Sequence, residues 1–479
     1  MRGIARVAIG SACALVLAGL PATAAADHAR RTATNNLRAL GHSVHLASFS
    51  DPSATRHVNS DLAFWGRFAF NGNYDGFRVI DLSNPRRPRE IAHERCNGDQ
   101  GDIVVWRDIL VRSWNSPAPP GRFCDGQPVP AGFEGVHVFD ISNPAAPVLR
   151  AAVQLECGSH TATVAGVSGG QLIVWSNNSS STGCVDGSRP NDDPAGDFMD
   201  VIGIPLNAPQ NASLLRREPL AGPSSNVRTG CHDAGVIRGR VNKGACASAD
   251  SINVFDIGRN RTAGGHPQDP EPLFTIREPG VGQDETNGRW HSASFTWDGE
   301  ILIAGWEPGG GSEAECERMD PAVDKSLFFY DADTGRKLGQ WTLPRAQSAS
   351  DNCTIHNYNI LPLRNGRYVA VSGNYQAGTW ATDFTNPRRP RTIAYSDPTA
   401  LGPPYAACDP DGTGPLAPQC QLAGAWATYW YNGLLYESDI SRGIHVFRLN
   451  SRATRPARQL RWLNPQTQDF SMRSRRPTR

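Results

Sequence analysis

Lysine is almost absent from this chain of 479 residues: only Lys243, Lys325 and Lys337 stand among 47 basic residues, and the formal net charge is +1. So even a balance gives no footprint for nucleic acid or a strongly acidic partner. Helical periodicity is nearly absent as well, and no phosphate-binding loop or dinucleotide fingerprint occurs. No Cys-x-x-Cys occurs, which removes the usual spacing of a zinc ribbon. Gly166-Val167-Ser168-Gly169-Gly170 fits the string G-x-S-x-G, but no helix follows it, so the geometry of a nucleophile elbow is missing. Long apolar runs are confined to Val7–Leu20, shorter than the roughly 20 residues a spanning helix needs.

What is present is a repeated string, apolar-x-apolar-apolar-Asp, often followed by Ser-Asn-Pro. Phe77-Arg78-Val79-Ile80-Asp81 and Val136-His137-Val138-Phe139-Asp140 are the clearest copies. Others run Ile252–Asp256, Leu327–Asp331 and Thr379–Asp383. Ile444–Phe447 is a copy with Arg448 in place of the aspartate, and Met199–Ile204 is a degenerate one. Two apolar runs joined by a turn precede most copies, and a further short apolar run follows. Asp298-Gly299, Asn365-Gly366 and Asn432-Gly433 suit tight hairpins with positive φ at both central residues. With 48 glycines and 36 prolines, this reads as four antiparallel strands per repeat.

The expected fold class is therefore all-β: a single β-propeller of seven four-stranded blades spanning 41–464. Its innermost strands begin near Asn59, Gly101, His160, His232, His291, His356 and Trp426. Ser43–Phe49 is the expected closing strand, with Arg458–Leu463 as its rival. Residues 27–40 are expected to be a flexible lead-in, and 465–479 a solvated basic tail.

Residues 1–26 read as a signal peptide: a basic start, the apolar run, then Ala22-Thr23-Ala24-Ala25-Ala26. Beyond it no segment is expected to span a membrane, and the protein is expected to be secreted and monomeric. Of 11 cysteines, Cys13 would leave with the signal, and ten remain. An even remainder in an exported chain predicts disulfides, and sequential pairing gives Cys96–Cys124, Cys157–Cys184, Cys231–Cys246, Cys316–Cys353 and Cys408–Cys420.

The strings Gly76–Asp81 and Gly135–Asp140, each with Ser-Asn-Pro close behind, resemble the LVIVD repeat. The wider pattern, including Cys231-His232-Asp233, Trp290-His291-Ser292 and Leu463-Asn464-Pro465-Gln466-Thr467, is similar to secreted bacterial LVIVD proteins of the choice-of-anchor type. The resemblance implies an exported β-propeller. Because Arg473–Arg479 offers no apolar anchor, free secretion is expected.

Aligning the repeats brings His160, His232, His291 and His356 to equivalent points at the starts of four successive inner strands. His57 or Asn59 takes that point in the first repeat, and Asp99 or Asp102 in the second. Imidazoles converging with a carboxylate are borderline ligands, so a divalent transition metal (copper, zinc or iron) is the candidate cofactor, with His57 as a fifth candidate ligand. Against this stands a purely structural role, each histidine pinning its own blade. Two functional expectations follow. The first is an exported binding or scaffold module for a ligand or envelope protein that no motif identifies. The alternative is a metal-dependent enzyme built on the histidine cluster.

Overall fold

The computed structural model describes residues 31–45, 58–98, 100–178, 198–221, 230–248, 250–258, 265–279, 281, 288–308, 318–345, 352–399 and 424–474. The protein is all-β. Its strands group into four-stranded antiparallel units, all but the last ordered as the chain runs. The first unit comprises Asn59–Trp65, Phe68–Asn73, Gly76–Asp81 and Arg89–Arg95. First strands of the later units are Ile103–Trp106, Thr161–Ser168, Asp233–Arg238, Gly288–Phe295, Asn357–Ile360 and Ala425–Tyr431. Each first strand touches that of the next unit, and Ala425–Tyr431 touches Asn59–Trp65. The last two units share a parallel bridge, Asn357 to Ala427, and so form one nine-stranded sheet.

The recurring Asp has a local cause. Each copy ends a third strand, and its carboxylate accepts backbone N–H groups of the turn that follows. Asp81 accepts from Ser83, Asp140 from Ser142, Asp256 from Gly258, Asp331 from Asp333 and Thr334, and Asp383 from Thr385. In the Asn-Pro copies, Asn84, Asn143 and Asn386 repeat the contact two residues on. These are Asx turns, for which a short acceptor side chain is required. Just before the Asp, the third and fourth strands slip register at Val79/Ile80, Val138/Phe139, Val201/Ile202, Val254/Phe255, Phe329/Tyr330 and Ala381/Thr382. A bulge at the same step in six units sharpens the twist of each outer edge. The apolar positions of the motif are buried between neighbouring units, as where Phe77 and Val79 meet Phe139 and Ile103.

The hairpin reading holds in full only at Asn432-Gly433, where both residues have positive φ. At Asp298-Gly299 and Asn365-Gly366 the glycine alone does.

Both chain ends differ from expectation. Within the expected lead-in, Arg31–Ala33 pairs with Arg391–Pro398, and Leu37–Val44 pairs antiparallel with Gly443–Leu449 as the fourth strand of the last unit. An N-terminal strand thus completes the sheet, but from 37–44; of Ser43–Phe49, residues beyond His45 lie outside the described set. The rival segment, Arg458–Leu463, begins instead inside the end of a 3-10 turn, Arg455–Gln459. The polar-looking sequence at 31–40 hid this, because an edge strand needs few apolar residues when backbone pairing supplies the bonds.

The expected solvated tail is mostly packed. Asn464, Thr467, Gln468, Met472 and Ser474 are buried. Gln468–Asp469 pairs in parallel with Ile237–Arg238, Thr467 donates to the Val164 carbonyl, and Asn464 donates to that of Val105. The segment thus crosses from one first strand to another, and the dense arginines nearby concealed it. Residues 475–479 and the expected signal, 1–26, lie outside the described residues. Among the described residues no helix is long and apolar enough to cross a membrane.

Candidate metal centre

Four histidines stand where the first strands begin, and their rings form a continuous arc. Centroids are 4.3 Å apart for His160 and His232, 4.2 Å for His232 and His291, and 4.1 Å for His291 and His356. All four are buried. A register shift between Trp290 and Ser292 takes His291 out of the ladder and turns it inward, a usual service of a bulge beside a site.

In two places the backbone of the following unit orients a histidine. His232 Nδ1 donates to the His291 carbonyl at 2.9 Å, and His356 Nδ1 donates to the Trp426 carbonyl at 2.7 Å. Because Nδ1 carries the proton, Nε2 presents its lone pair. Among the described residues His160 Nδ1 makes no such bond, and His291 is drawn to the His356 backbone without reaching full hydrogen-bond geometry. Neighbouring hydroxyls have taken the acceptors: Thr161 donates to the His232 carbonyl and Ser292 to that of His356.

The free nitrogens face one carboxylate. Glu307 lies 3.9 Å from His232 Nε2, 3.9 Å from His291 Nε2 and 3.8 Å from His356 Nε2. Ligand atoms of His232, His291 and Glu307 all fall within 4.8 Å of one another. Tyr375, a residue with φ of 41°, donates to Glu307 Oε1 at 3.2 Å and lays its ring 4.5 Å from His356.

Burial sets the protonation. It lowers His160 and His356 to about 3, and His232 and His291 well below the ordinary range, with neighbouring imidazoles and Arg289 adding to the effect on His160, His232 and His291. The same desolvation raises Glu307 to about 7, against the nearby Arg289 charge and the Tyr375 hydrogen bond. The cluster is therefore neutral imidazole at pH 7, the form that binds metal.

Glu307 and Tyr375 were missed in the sequence. Glu307 was within reach by counting: it lies across the Asp298-Gly299 hairpin, paired with Arg289, two positions before His291. Tyr375 carries no comparable signal. Among the aligned candidates, Asn59 is structural, donating to the His45, Asp439 and Ile440 carbonyls. His57 and Asp99 lie outside the described residues.

Asp102 belongs elsewhere. With Asp61 and Asp233 it lines a small cavity between the first strands, closed by Pro465, Gln466 and Gln468. Asp61 accepts from Tyr429 at 2.9 Å and from Gln466 at 3.2 Å, and Asp102 accepts from the Ala162 N–H at 2.7 Å. Burial pushes Asp61 up to about 6 and Asp233 to about 8, and raises Asp102 well above the ordinary range with help from both neighbours.

Three other groupings of ligating residues are already occupied. Cys96 and Cys124 are bonded to each other beside His137. Asp75 is held by Arg95 while His45 bonds Asn59. Glu437 is held by Arg31 and Thr379, and Asp439 by Arg442.

Cys231 and Cys246 are also at disulfide distance. Cys157 and Cys353 are disulfide-bonded; the partners expected for them, Cys184 and Cys316, and the pair Cys408 and Cys420 fall outside the described residues.

Comparison with known proteins supports the repeat. The LVIVD repeat model matches residues 131–154, the second copy of the motif. No curated protein matches the chain. The outer coat vertex of COPII on membranes is similar at a TM-score of 0.48 and 10% identity, over 82% of this chain and 85% of that one. A putative 6-phosphogluconolactonase from Bacteroides uniformis is similar at 0.47 and 11%, over 86% and 92%. A computationally designed protein is similar at 0.42 and 13%, over 86% and 99%.

Proposed function

We propose that the chain is an exported, seven-bladed β-propeller that holds one divalent transition-metal ion at one end of its channel. His232, His291, His356 and Glu307 are its ligands. Supporting the architecture are seven four-stranded units whose first strands touch in succession, the last touching the first. Disulfides favour an oxidising compartment, and so export.

The observation that carries the metal reading is the facing of three imidazole Nε2 atoms onto one buried carboxylate at 3.8–3.9 Å. A tetrahedral ion with bonds of about 2.0–2.1 Å separates its ligand atoms by roughly 3.3 Å; the ligand atoms of His232, His291 and Glu307 already lie within 4.8 Å of one another, and His356 must move furthest to join them. Histidines that served only to pin their blades would not need their second nitrogens aimed at a common acid. Nitrogen and oxygen donors in this ratio suit zinc, copper or iron.

His160 decides whether the ion has a chemical role. Four ligands already fill a tetrahedral shell, so with His160 left out a water or substrate would need a fifth coordination position, as some catalytic sites provide. As a fourth imidazole ligand it would close that position.

Elemental analysis of protein purified without a histidine tag tests the proposal, with about one ion per chain expected. No ion after exposure to copper, zinc and iron, together with an unchanged melting temperature, would end it.

The broader reading, an exported binding or scaffold module, is favoured by a different feature: an open basin at the other end of the same strands.

A further inference from the structure

A cavity of about 750 Å³ opens where the first strands end, and the C-terminal segment Asp469–Met472 forms its floor. Trp106, Trp297 and Phe470 supply its apolar wall, with the Trp297 and Phe470 rings 4.7 Å apart. Four arginines line it, Arg107, Arg238, Arg240 and Arg364, against two aspartates, Asp298 and Asp469.

The carboxylates are spent internally. Asp298 accepts from Thr296 and Tyr368, and Asp469 accepts from the backbone and hydroxyl of Ser471. Arg240 is held by Glu300 and the Asp298 carbonyl. Arg107 and Arg364 are different. Both are exposed, and neither has a carboxylate within ion-pairing distance among the described residues. Each instead lies over an aromatic face: Arg107 at 4.3 Å from the Trp106 ring, Arg364 at 4.0 Å from that of Phe470. Stacking holds the planar group in place and leaves its N–H fork free.

We propose that this basin binds a small organic anion with an aromatic body, its carboxylate taken by the guanidinium of Arg107 or of Arg364 and its ring laid against the apolar wall. The volume is that of an ordinary small-molecule pocket. Two uncommitted guanidinium forks beside an apolar wall match a carboxylate joined to a ring, because bidentate pairing fixes the acid while stacking removes the ring from water. The site is separate from the histidine cluster and does not depend on metal there.

Isothermal titration calorimetry of the full chain at low salt with a naphthalene carboxylate, and with the uncharged carboxamide, tests it. Saturable one-site binding is expected for the acid, weakening as salt is added, with the amide about tenfold weaker or worse. Arg107→Gln with Arg364→Gln should cost about tenfold in affinity and leave the melting temperature unchanged, since both residues are exposed. Val167→Asp, which sets a carboxylate on the basin wall, should weaken binding independently. Absence of saturable binding by the acid, equal binding of the amide, or unchanged affinity in both variants would overturn the proposal.

Discussion

The two ends of the first strands are finished in opposite ways. At the starting end, side chains of successive units converge, and disulfide cysteines stand close by in sequence: Cys157 before His160, Cys231 before His232, Cys353 before His356. At the finishing end, a single passing segment from the C-terminus bridges the units by backbone and amide bonds. One end is organised by repetition and the other by a unique stretch of chain. A repeated position can gather like ligands, whereas only unique sequence can build a basin with mixed chemistry.

The largest effect expected from breaking this contrast is at the histidine end. His291→Ala or Glu307→Gln should remove the ion, lowering affinity by roughly a hundredfold or more, since each takes away a direct ligand rather than its support. Metal content after dialysis, and the metal-induced rise in melting temperature, read the result. Retention of a full equivalent by both variants would show that the arc is structural. His160→Ala should have a much smaller effect on affinity if that histidine stands outside the shell, and one comparable to His291→Ala if it is a ligand.

At the finishing end the comparison turns on stability. Truncation before Asn464 should destabilise the protein by on the order of 3 kcal/mol or more, because it exposes buried apolar surface and strands the carbonyls and acids that the segment now satisfies. Urea denaturation of the shortened chain measures it. A solvated tail would cost nothing.

How much of this was legible in the sequence follows the same division. Most units were readable because the Asx turn after their third strand demands one acceptor at a fixed place, as at Asp81, Asp140 and Asp383. The histidine register was readable because those turns align it. Glu307 and Tyr375 were not, since each occurs once and converges only through pairing and a bulge. The packing of Asn464–Ser474 was hidden for a similar reason. Its bonds run to carbonyls of Val105, Val164 and Ile103, which no side-chain pattern records. Arg31–Val44 was hidden because its partners lie at the far end of the chain.

Between the two ends lies the acid-lined cavity, and its titration should give the smallest of these effects. Asp61 has a pKa of about 6 in the fold against 3.8 as the ordinary value. Desolvation is the main cause, so the folded state favours the protonated acid. An acid whose pKa is raised by folding holds its full contribution below the unfolded value and loses it as pH rises toward the folded one. Wild-type stability should therefore fall relative to Asp61→Asn between about pH 4 and pH 6, by on the order of 2–3 kcal/mol, and run parallel to it at higher pH. The amide keeps an acceptor for Tyr429 and carries no charge to ionise, which isolates the proton from the hydrogen bond. Urea midpoints of the two proteins at intervals across that range provide the measurement. If the two curves stay parallel throughout, Asp61 is ionised in the fold and the segment at Gln466 caps a charged interior. If they diverge as stated, Asp61 is protonated in the fold below about pH 6, and the cavity under Gln466 gains its charge only above that pH.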